Sequence, residues 1–401
     1  MTWPRPTARA AGFAALGAVV LLGAWASGQQ DLLWVGVFCW VAPVLTLGVS
    51  LLTGPTLQAR RTVSPEVAHR GDDVTVTLTL AASDATAPPT TVEDDPGPAL
   101  GPPHAFRLDP VRHEQARARY LLRPRRRGRF ALDRCRYSTE DPLGFWRRAR
   151  DLPLHTPLLI APQVHALPSV NLPVHGDLGE TPLPRTAQIG PDDATVRSYA
   201  AGDDVRRIHW RATAHVGDLM VRREEAAWDP AAWILLDSRA GSHAAASGEY
   251  PGFEWLVSAA ASIGLRLLAD GYSVGLIDAE GRVDTVDQHD QGGTARWLEP
   301  LIDVEVVGVE DLHDAVSPLT AGARDGVVIA LRAGLDDTAT DPLLSLGSSA
   351  LARVALVLDS PATASSDGGV LTDHGWVVRA TGPGGDLAAD WSRLGTWGGA
   401  S

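Results

Sequence analysis

The 401-residue chain contains no lysine and only two cysteines. Cys39 lies inside an apolar run and Cys135 is the only cysteine outside it, so a disulfide framework is excluded. A lone thiol outside the apolar run fits a reducing compartment. The absence of lysine reflects the base composition of a genome more than a mechanism. A net charge of −13 disfavours nucleic acid as the main partner.

The charge is distributed unevenly along the sequence. Between Arg117 and Arg150 there are 12 arginines and 3 acidic residues, whereas from Asp229 to the end there are 25 acidic residues and 9 arginines. The chain is therefore basic near its first third and acidic afterwards. Its length also exceeds what one hydrophobic core supports, which predicts two or three domains.

Two apolar runs without charged residues, Ala11 to Ala26 and Leu32 to Leu52, open the chain. The second run would rise about 31 Å as a helix, which is long enough to span a bilayer. A cleavable signal peptide is the alternative for the first run, because Ala24-Trp25-Ala26 resembles a cleavage site. A second spanning run follows after only five residues, which favours a hairpin over residues 1–55.

Arginines flank this hairpin on both sides. Arg5 and Arg9 precede the first run, Arg60 and Arg61 follow the second, and the link between the runs has no cation. The positive-inside rule then places both ends in the cytoplasm. We therefore predict a two-pass protein of the plasma membrane with cytoplasmic soluble domains.

Short strands are predicted over residues 56–161. Val74 to Leu80 alternates strictly between apolar and polar residues, as a half-buried strand does. Further strands are predicted at Arg117 to Leu122, Gly128 to Leu132, Arg134 to Thr139 and Leu158 to Ala161, with a turn at Asp141 to Gly144. Many short strands without a helical period indicate an immunoglobulin-like β-sandwich. Residues 162–195 are rich in proline, which predicts a linker or an extended wrap.

From residue 229 to 401 the pattern changes to alternating strands and helices. Apolar strands are predicted at Trp233 to Leu236, Val274 to Ile277, Val327 to Leu331, Val354 to Leu358 and Val377 to Val378, and helices at Phe253 to Leu268 and Leu387 to Leu394. Continuous β-branched strands are typical of a sheet buried on both faces. The sequence therefore predicts a parallel, doubly wound α/β domain.

The segment 196–228 carries the candidate site, because it concentrates ionisable and aromatic residues. Gly202-Asp203-Asp204 reads as a turn that feeds a helix, with Val205, Ile208 and Ala212 on one stripe. Three hypotheses follow: buried charge pairs that clamp the segment onto the α/β domain, hydrolytic or metal chemistry by Asp203, Asp204 and His209, or a surface that docks a partner. The candidate residues are Arg197, Tyr199, Gly202, Asp203, Asp204, Arg207, His209, Trp210 and Arg222.

Three motifs in this segment, Tyr199-Ala-Ala-Gly-Asp-Asp204, Arg207-Ile-His-Trp210 and Leu219-Met-Val-Arg222, resemble the signature of the domain-of-unknown-function-58 (DUF58) family. Upstream, Arg126-Arg-Gly-Arg-Phe130 and Asp141-Pro-Leu-Gly-Phe145 are similar to a second recurring part of such proteins. One departure is His215, where the family usually has arginine, so a contact of that arginine is lost or pH-dependent.

The resemblance implies a bacterial membrane protein with a von Willebrand factor A-like domain and no established enzymatic activity. It also implies a MoxR-type AAA+ ATPase as partner, and often a transglutaminase-like membrane protein. We accordingly expect a non-enzymatic adaptor or assembly factor without a cofactor, with a hydrolase that uses Asp203, Asp204 and His209 as the alternative.

A von Willebrand A domain that binds Mg²⁺ has Asp-x-Ser-x-Ser after its first strand, because hard cations prefer oxygen ligands. This chain has Asp237-Ser-Arg239-Ala-Gly241 there, so arginine and glycine replace the two hydroxyls. Asp237 alone is a degenerate site, and we expect it to cap the strand or pair with Arg239. The sequence predicts no functional metal site.

The basic stretch holds Arg123, Arg125, Arg126, Arg127 and Arg129. These cations suit contact with anionic membrane lipid, since each contributes about 1 kcal/mol near a charged surface. The alternative is a solvated strand edge where charge blocks pairing with other chains. The sequence leaves both open.

Overall fold

The computed structural model describes residues 3–52, 57–82, 90–108, 116–170, 196–199, 208, 210–222, 230–245, 249–322, 326–334, 337–347, 350, 352–358, 367–382 and 384–394. The chain divides into two compact units, residues 1–162 and 163–401. Each unit has its own buried core.

Two antiparallel helices begin the first unit, α1 (Ala8–Ser27) and α2 (Gln30–Leu52). The Thr7 hydroxyl accepts from the Ala10 backbone N–H at 3.4 Å, and Gly28 ends α1 in the left-handed region with φ of 70°. The helices approach closely at Gly36, where a Cβ would lie 2.6 Å from Leu21 Cγ. Both predicted N-terminal helices are confirmed as long and apolar enough to cross a membrane.

The rest of this unit is built from short strands. They are β1 (Arg5–Pro6), β2 (Leu57–Ser64), β3 (Val67–His69), β4 (Val74–Ala82), β5 (Thr90–Asp95), β6 (His104–Leu108), β7 (Ala116–Leu122), β8 (Gly128–Leu132), β9 (Arg134–Glu140), β10 (Trp146–Leu152) and β11 (Thr156–Ala161). They form sheets with the orders β1-β10-β9-β5-β6, β2-β4-β7 and β3-β11-β8. Apolar residues of β4 and β7 face both of the other sheets, so the core lies between layers of strands, as in a sandwich.

A buried ion pair crosses this core. Arg61 on β2 donates from Nε to Asp94 Oδ2 on β5 at 3.1 Å and from Nη2 to Oδ1, while the Tyr120 hydroxyl donates to Oδ2 at 2.8 Å. Both charged side chains are fully buried, so each depends on its partner for compensation. Burial raises the pKa of the neighbouring Cys135 thiol to about 12.

Three short elements follow in the second unit: β12 (Val196–Ser198), α3 (Trp210–Val216) and β13 (Met220–Arg222). The α/β part contains β14 (Ala231–Leu236), α4 (Pro251–Ala269), β15 (Ser273–Ile277), β16 (Val283–Val286), α5 (Gly293–Asp303), α6 (His313–Gly322), β17 (Val327–Ala333), α7 (Asp337–Ser345), β18 (Ala352–Leu358), α8 (Asp367–Asp373), β19 (Val377–Thr381) and α9 (Leu387–Leu394). Its sheet has the order β16-β15-β14-β17-β18-β19, and β16 is an antiparallel edge strand.

Helices cover both faces of this sheet. Residues of α6, α7 and α8 pack against one face, which includes Leu235, Val328 and Ala355. Because successive side chains of a strand point to opposite faces, α4, which contacts the same strands but lies outside that cluster, covers the other face. Helix α4 is also long and apolar enough to cross a membrane. However, 67% of its most apolar stretch is buried within this unit, so it is a core helix.

The start of the proline-rich segment lies against α4. The Ser258 hydroxyl donates to Gln163 O at 2.5 Å, and the His165 N–H donates to Ser262 Oγ at 2.9 Å. Trp391 of α9 donates from Nε1 to Pro168 O at 3.0 Å. Residues 163–168 are therefore an extended wrap along the α/β domain, which was one of the two alternatives for residues 162–195.

Candidate functional site

In the described part of the signature segment, the two ends pair with each other as strands. Strand β12 pairs with β13 in antiparallel register, with Val196 opposite Arg222 and Arg197 opposite Val221. Tyr199 N–H donates to Leu219 O at 2.8 Å and extends this ladder. Tyr199, the first residue of the signature, thus lies beside Leu219, the first residue of its last motif.

Helix α3 connects to β13 through a short turn. The Gly217 N–H donates to Thr213 O at 2.9 Å. Gly217 ends the helix in the left-handed conformation, with a φ of 87°, which glycine adopts more readily than other residues. The Thr213 hydroxyl accepts from the Met220 N–H at 3.0 Å. This turn fixes the position of the helix relative to β13.

This element exposes three large apolar side chains. Trp210 is 68% exposed, and Val216 and Leu219 are also exposed. Among the described residues of α3 none is buried. Three exposed large apolar side chains within ten residues favour a contact site for another molecule.

Several predicted site residues lie outside the described residues. These are Gly202, Asp203, Asp204, Arg207 and His209, together with the side chains of Arg197 and Arg222. The helix predicted after Asp203 and Asp204 therefore has a described part only from Trp210. The hydrolase hypothesis and the charge-clamp hypothesis depend on these residues, and both stay predictions.

A second candidate site lies at the carboxyl end of β14. Neighbours β15 and β17 lie on either side of β14, so the strand order reverses here, at the point where open α/β sheets usually bind ligands. Asp237, Ser238 and Arg239 follow the strand directly, and all three are buried.

The Arg239 guanidinium fills this position. It donates to both carboxylate oxygens of Asp237 at 2.9 Å, to Thr338 Oγ1 at 2.7 Å and to Glu310 O at 3.2 Å. The Arg239 guanidinium thus neutralises the Asp237 carboxylate. This ion pair is one of the two roles that the sequence analysis expected for Asp237 in place of metal binding. Thr338 and Glu310 were missed, because no local pattern links them to Arg239.

His243 supports the same loop. Its Nε2 lies 2.7 Å from Asp237 O, and since a carbonyl only accepts, Nε2 carries the proton. Within the described residues Nδ1 is buried without a hydrogen-bond partner. Burial lowers the pKa of His243, so the ring is neutral at pH 7.

The donor set at Asp237 does not fit a hard cation, because a guanidinium faces the carboxylate where a metal would need oxygen ligands. Across the described residues, no group of three or more histidine, cysteine, aspartate or glutamate side chains is arranged to hold a metal ion. The absence of a functional metal site stays a prediction with a direct test.

The basic stretch lies at one end of the β-domain, the part of the first unit built from β2 to β11, residues 57–161. Arg123 follows the last residue of β7, Leu122, which is opposite Val74. Strand β2 starts at Leu57, shortly after α2, and reaches this end at Ser64, about 23 Å away. Arg123 pairs with Asp73, and Arg125 O accepts from Arg70 Nε at 2.8 Å. Both alternatives for Arg123 to Arg129, contact with anionic lipid and a solvated strand edge, stay predictions.

The opposite end of the β-domain contacts the helical hairpin, which the sequence analysis missed. The Thr7 hydroxyl donates to Gly144 O at 2.6 Å, and the Phe145 ring lies 5.1 Å from that of Phe13. Trp146 donates from Nε1 to Pro43 O at 2.8 Å. Arg148 donates to Ser50 O near the carboxyl end of α2, where a cation is favourable. The Asp141-to-Phe145 motif was the available signal.

No curated protein matches this chain. Among solved structures, it is similar to the sporulation control protein Spo0M from Bacillus subtilis, with 10% identity over 27% of this chain and 50% of that chain and a TM-score of 0.17. It is also similar to the alkylpurine DNA glycosylase AlkC from Pseudomonas fluorescens, with 12% identity over 33% and 38% of the two chains and a TM-score of 0.18.

Cwp6 from Clostridium difficile is a third similar structure, with 9% identity over 84% of this chain and 55% of that chain and a TM-score of 0.17. The chain spans half or less of the length of Spo0M and AlkC.

The family comparison falls on the second unit. It includes the β12–α3–β13 element, the Asp237–Arg239 pair and the first half of the α/β sheet. Residues 195–305 match the family described as protein of unknown function DUF58.

Proposed function

We propose that this protein is a membrane-anchored, non-enzymatic adaptor or assembly factor that docks a MoxR-type AAA+ ATPase through its signature segment. The carrying observation is the exposed apolar surface of α3 and the turn after it, with Trp210 at its start. Tryptophan is enriched at the energetic centres of protein interfaces, whereas a solvent-facing helix without a partner has no need of it.

The proposal extends to the domains. The layered strands of the first unit support an immunoglobulin-like domain, and the parallel sheet whose order reverses at Asp237 supports a von Willebrand factor A-like domain. The acidic surplus after Asp229 would attract a basic partner face, and that attraction should weaken with salt. A transglutaminase-like membrane protein is a second partner in this proposal.

The proposed location is the plasma membrane, with the strands of the first unit and the whole second unit in the cytoplasm. Arginines flank the open end of the hairpin, and the loop at Gly28 has no cation. A cytoplasmic ATPase needs this orientation to reach the signature segment. A reporter fused at the carboxyl end that was active only outside the cell would contradict it.

The partner is tested by affinity purification of the full chain from native membranes. We expect an AAA+ ATPase with the wild type and its loss with Trp210→Ala, because truncating a central tryptophan costs about 2 kcal/mol or more. That cost corresponds to about a 30-fold loss of affinity. Trp3→Ala is the matched control, since Trp3 is similarly exposed, at 77%, but lies outside the signature.

Two results would contradict the proposal. One is a wild type that brings down no ATPase under conditions that preserve the membrane anchor. The other is an ATPase recovered equally with wild type, Trp210→Ala and Trp3→Ala, because the surface around α3 would then contribute no binding energy. Raising the salt concentration should lower recovery of the wild-type complex.

A further inference from the structure

The turn between β9 and β10 presents an apolar tip. The Asp141 carboxylate accepts from the backbone N–H groups of Leu143 at 3.2 Å and Trp146 at 2.6 Å, and Gly144 N–H donates to Asp141 O at 2.9 Å. Gly144 has a φ of 71°, a left-handed backbone conformation that residues other than glycine rarely adopt. This rigid turn leaves Leu143 at its tip, 52% exposed.

The position of the turn along the hairpin sets its depth relative to a bilayer. Helix α1 has 20 residues and is about 30 Å long, the thickness of a hydrocarbon core. Phe145 packs with Ala10 and Phe13, which lie within about 8 Å of the start of α1. The turn therefore lies beside the first two turns of α1, at the boundary between hydrocarbon and headgroups. On α2 its neighbour Trp146 contacts Pro43, nine residues before Leu52 ends that helix.

Cations lie next to this turn. Arg5 on β1 lies opposite Arg147 on β10, and Arg9 Nη1 is 2.9 Å from where a Cβ of Gly144 would be. All three arginines are exposed, and Arg147 also binds Glu140 at 2.6 Å. Arg5 and Arg9 form no ion pair within the described part of the chain. Exposed Trp3 lies two residues from Arg5, and tryptophan is enriched at membrane interfaces.

We propose that the Asp141-to-Gly144 turn inserts Leu143 into the bilayer at the open end of the hairpin, with Arg5 and Arg9 bound to anionic phospholipid headgroups. The apolar tip and the cations lie side by side at the depth where acyl chains meet phosphates. The first unit then contacts the membrane at the end that carries this turn. Its Arg123-to-Arg129 stretch lies at the opposite end of the strands. The inference rests on the membrane anchoring in the proposed function and not on the ATPase.

The test places a nitroxide on Leu143→Cys in the full chain, reconstituted in bilayers of phosphatidylcholine with or without phosphatidylglycerol. Collision with oxygen reports lipid exposure, and collision with a water-soluble nickel complex reports water exposure. Leu121→Cys is the matched control, because Leu121 is 57% exposed and lies opposite Thr75, near the far end of the strands. Both native cysteines are buried, so the label reacts selectively with the introduced, exposed thiol.

We expect a higher oxygen-to-nickel accessibility ratio at position 143 than at position 121, and a further rise with phosphatidylglycerol. That rise should be lost in Arg5→Gln/Arg9→Gln, kept in Arg5→Lys/Arg9→Lys and unchanged in the control Arg125→Gln/Arg126→Gln. A water-like label at position 143 overturns the proposal. So does a label shielded from both quenchers, which would indicate a protein partner, or immersion that is indifferent to the anionic lipid.

A label at the exposed Val19, near the middle of α1, separates this inference from the membrane anchor. Water-like accessibility at Val19 would overturn the anchor itself. A lipid-like Val19 with a water-like Leu143 would overturn only the inserted turn. Recovery of the ATPase with Trp210 intact is independent of both readings.

Discussion

Breaking the Asp237–Arg239 pair from one side should destabilise the α/β domain far more than replacing both residues. Both side chains are buried and joined by two contacts of 2.9 Å. Asp237→Asn keeps the shape but leaves a buried guanidinium without a counterion, and Arg239→Met leaves a buried carboxylate. Each single change should cost about 3–5 kcal/mol of local stability, because an unpaired charge is left in the interior.

Hydrogen exchange measured by mass spectrometry on the full chain suits this prediction, because it reports local opening. Each 1.4 kcal/mol is a factor of ten, so exchange in peptides covering β14 should accelerate by about two to three and a half orders of magnitude. The double variant Asp237→Asn/Arg239→Met should accelerate it less than either single one. Arg136→Met, which breaks the exposed pair with Asp151, is the control and should change exchange little.

The reasoning would be refuted by single variants that exchange no faster than the Arg136→Met control. It would also be refuted if the double variant lost as much stability as the two single variants added together, because the two charges would then be uncoupled. Either result would mean that the two charges do not depend on each other for compensation.

Three further predictions concern titration, metal binding and thiol reactivity. Because burial lowers the pKa of His243, the unfolded state binds the proton more readily, and the free energy of unfolding should fall as the pH drops below about 6.5. His243→Gln should remove this part of the pH dependence between pH 7 and 5, and a variant with the wild-type slope would contradict the assignment. Calorimetric titration with Mg²⁺ or Mn²⁺ should show no micromolar binding to the wild type, whereas Arg239→Ser/Gly241→Ser should gain it; wild-type binding that Asp237→Ala abolishes would show the opposite. Cys135, with its pKa raised to about 12, should resist iodoacetamide at pH 8, because only about one thiol in ten thousand is ionised, and rapid alkylation of the folded protein would disagree.

Elements with a clear apolar period could be predicted from the sequence. The predicted helix from Leu387 to Leu394 has the bounds of α9, and the alternating run from Val74 became β4. The unalternating apolar runs gave β14, β15, β17, β18 and β19. In these segments, burial alone decides the structure, so the pattern of apolar residues carries the information.

Two charged strands, β2 and β10, could not be predicted in this way. β2 contains Arg60 and Arg61, which the sequence analysis assigned to the flank of the hairpin, and β10 contains three arginines. Buried Arg61 is compensated by Asp94, and buried Arg148 donates to the carbonyl of Ser50. Partners so distant in sequence leave no local signal, so composition made these segments look like surface.

Helices α5, α6 and α7 were missed for a different reason. Each contains a proline, at Pro300, Pro318 and Pro342, which normally argues against a helix interior. Packing against the sheet and neighbouring helices compensates for the lost backbone hydrogen bond. For the candidate site, the exposure of Trp210 and the role of Arg239 likewise required the arrangement in space.

The attachment of β10 to the hairpin has a mechanical consequence. Phe145 and Trp146 fasten the strand to α1 and α2, and Arg148 fastens it to the end of α2. Spanning helices tilt when their apolar length differs from the thickness of the surrounding bilayer. The β-domain would tilt together with the helices. A thinner membrane would therefore bring it closer to the lipid surface, and a thicker one would move it away from that surface.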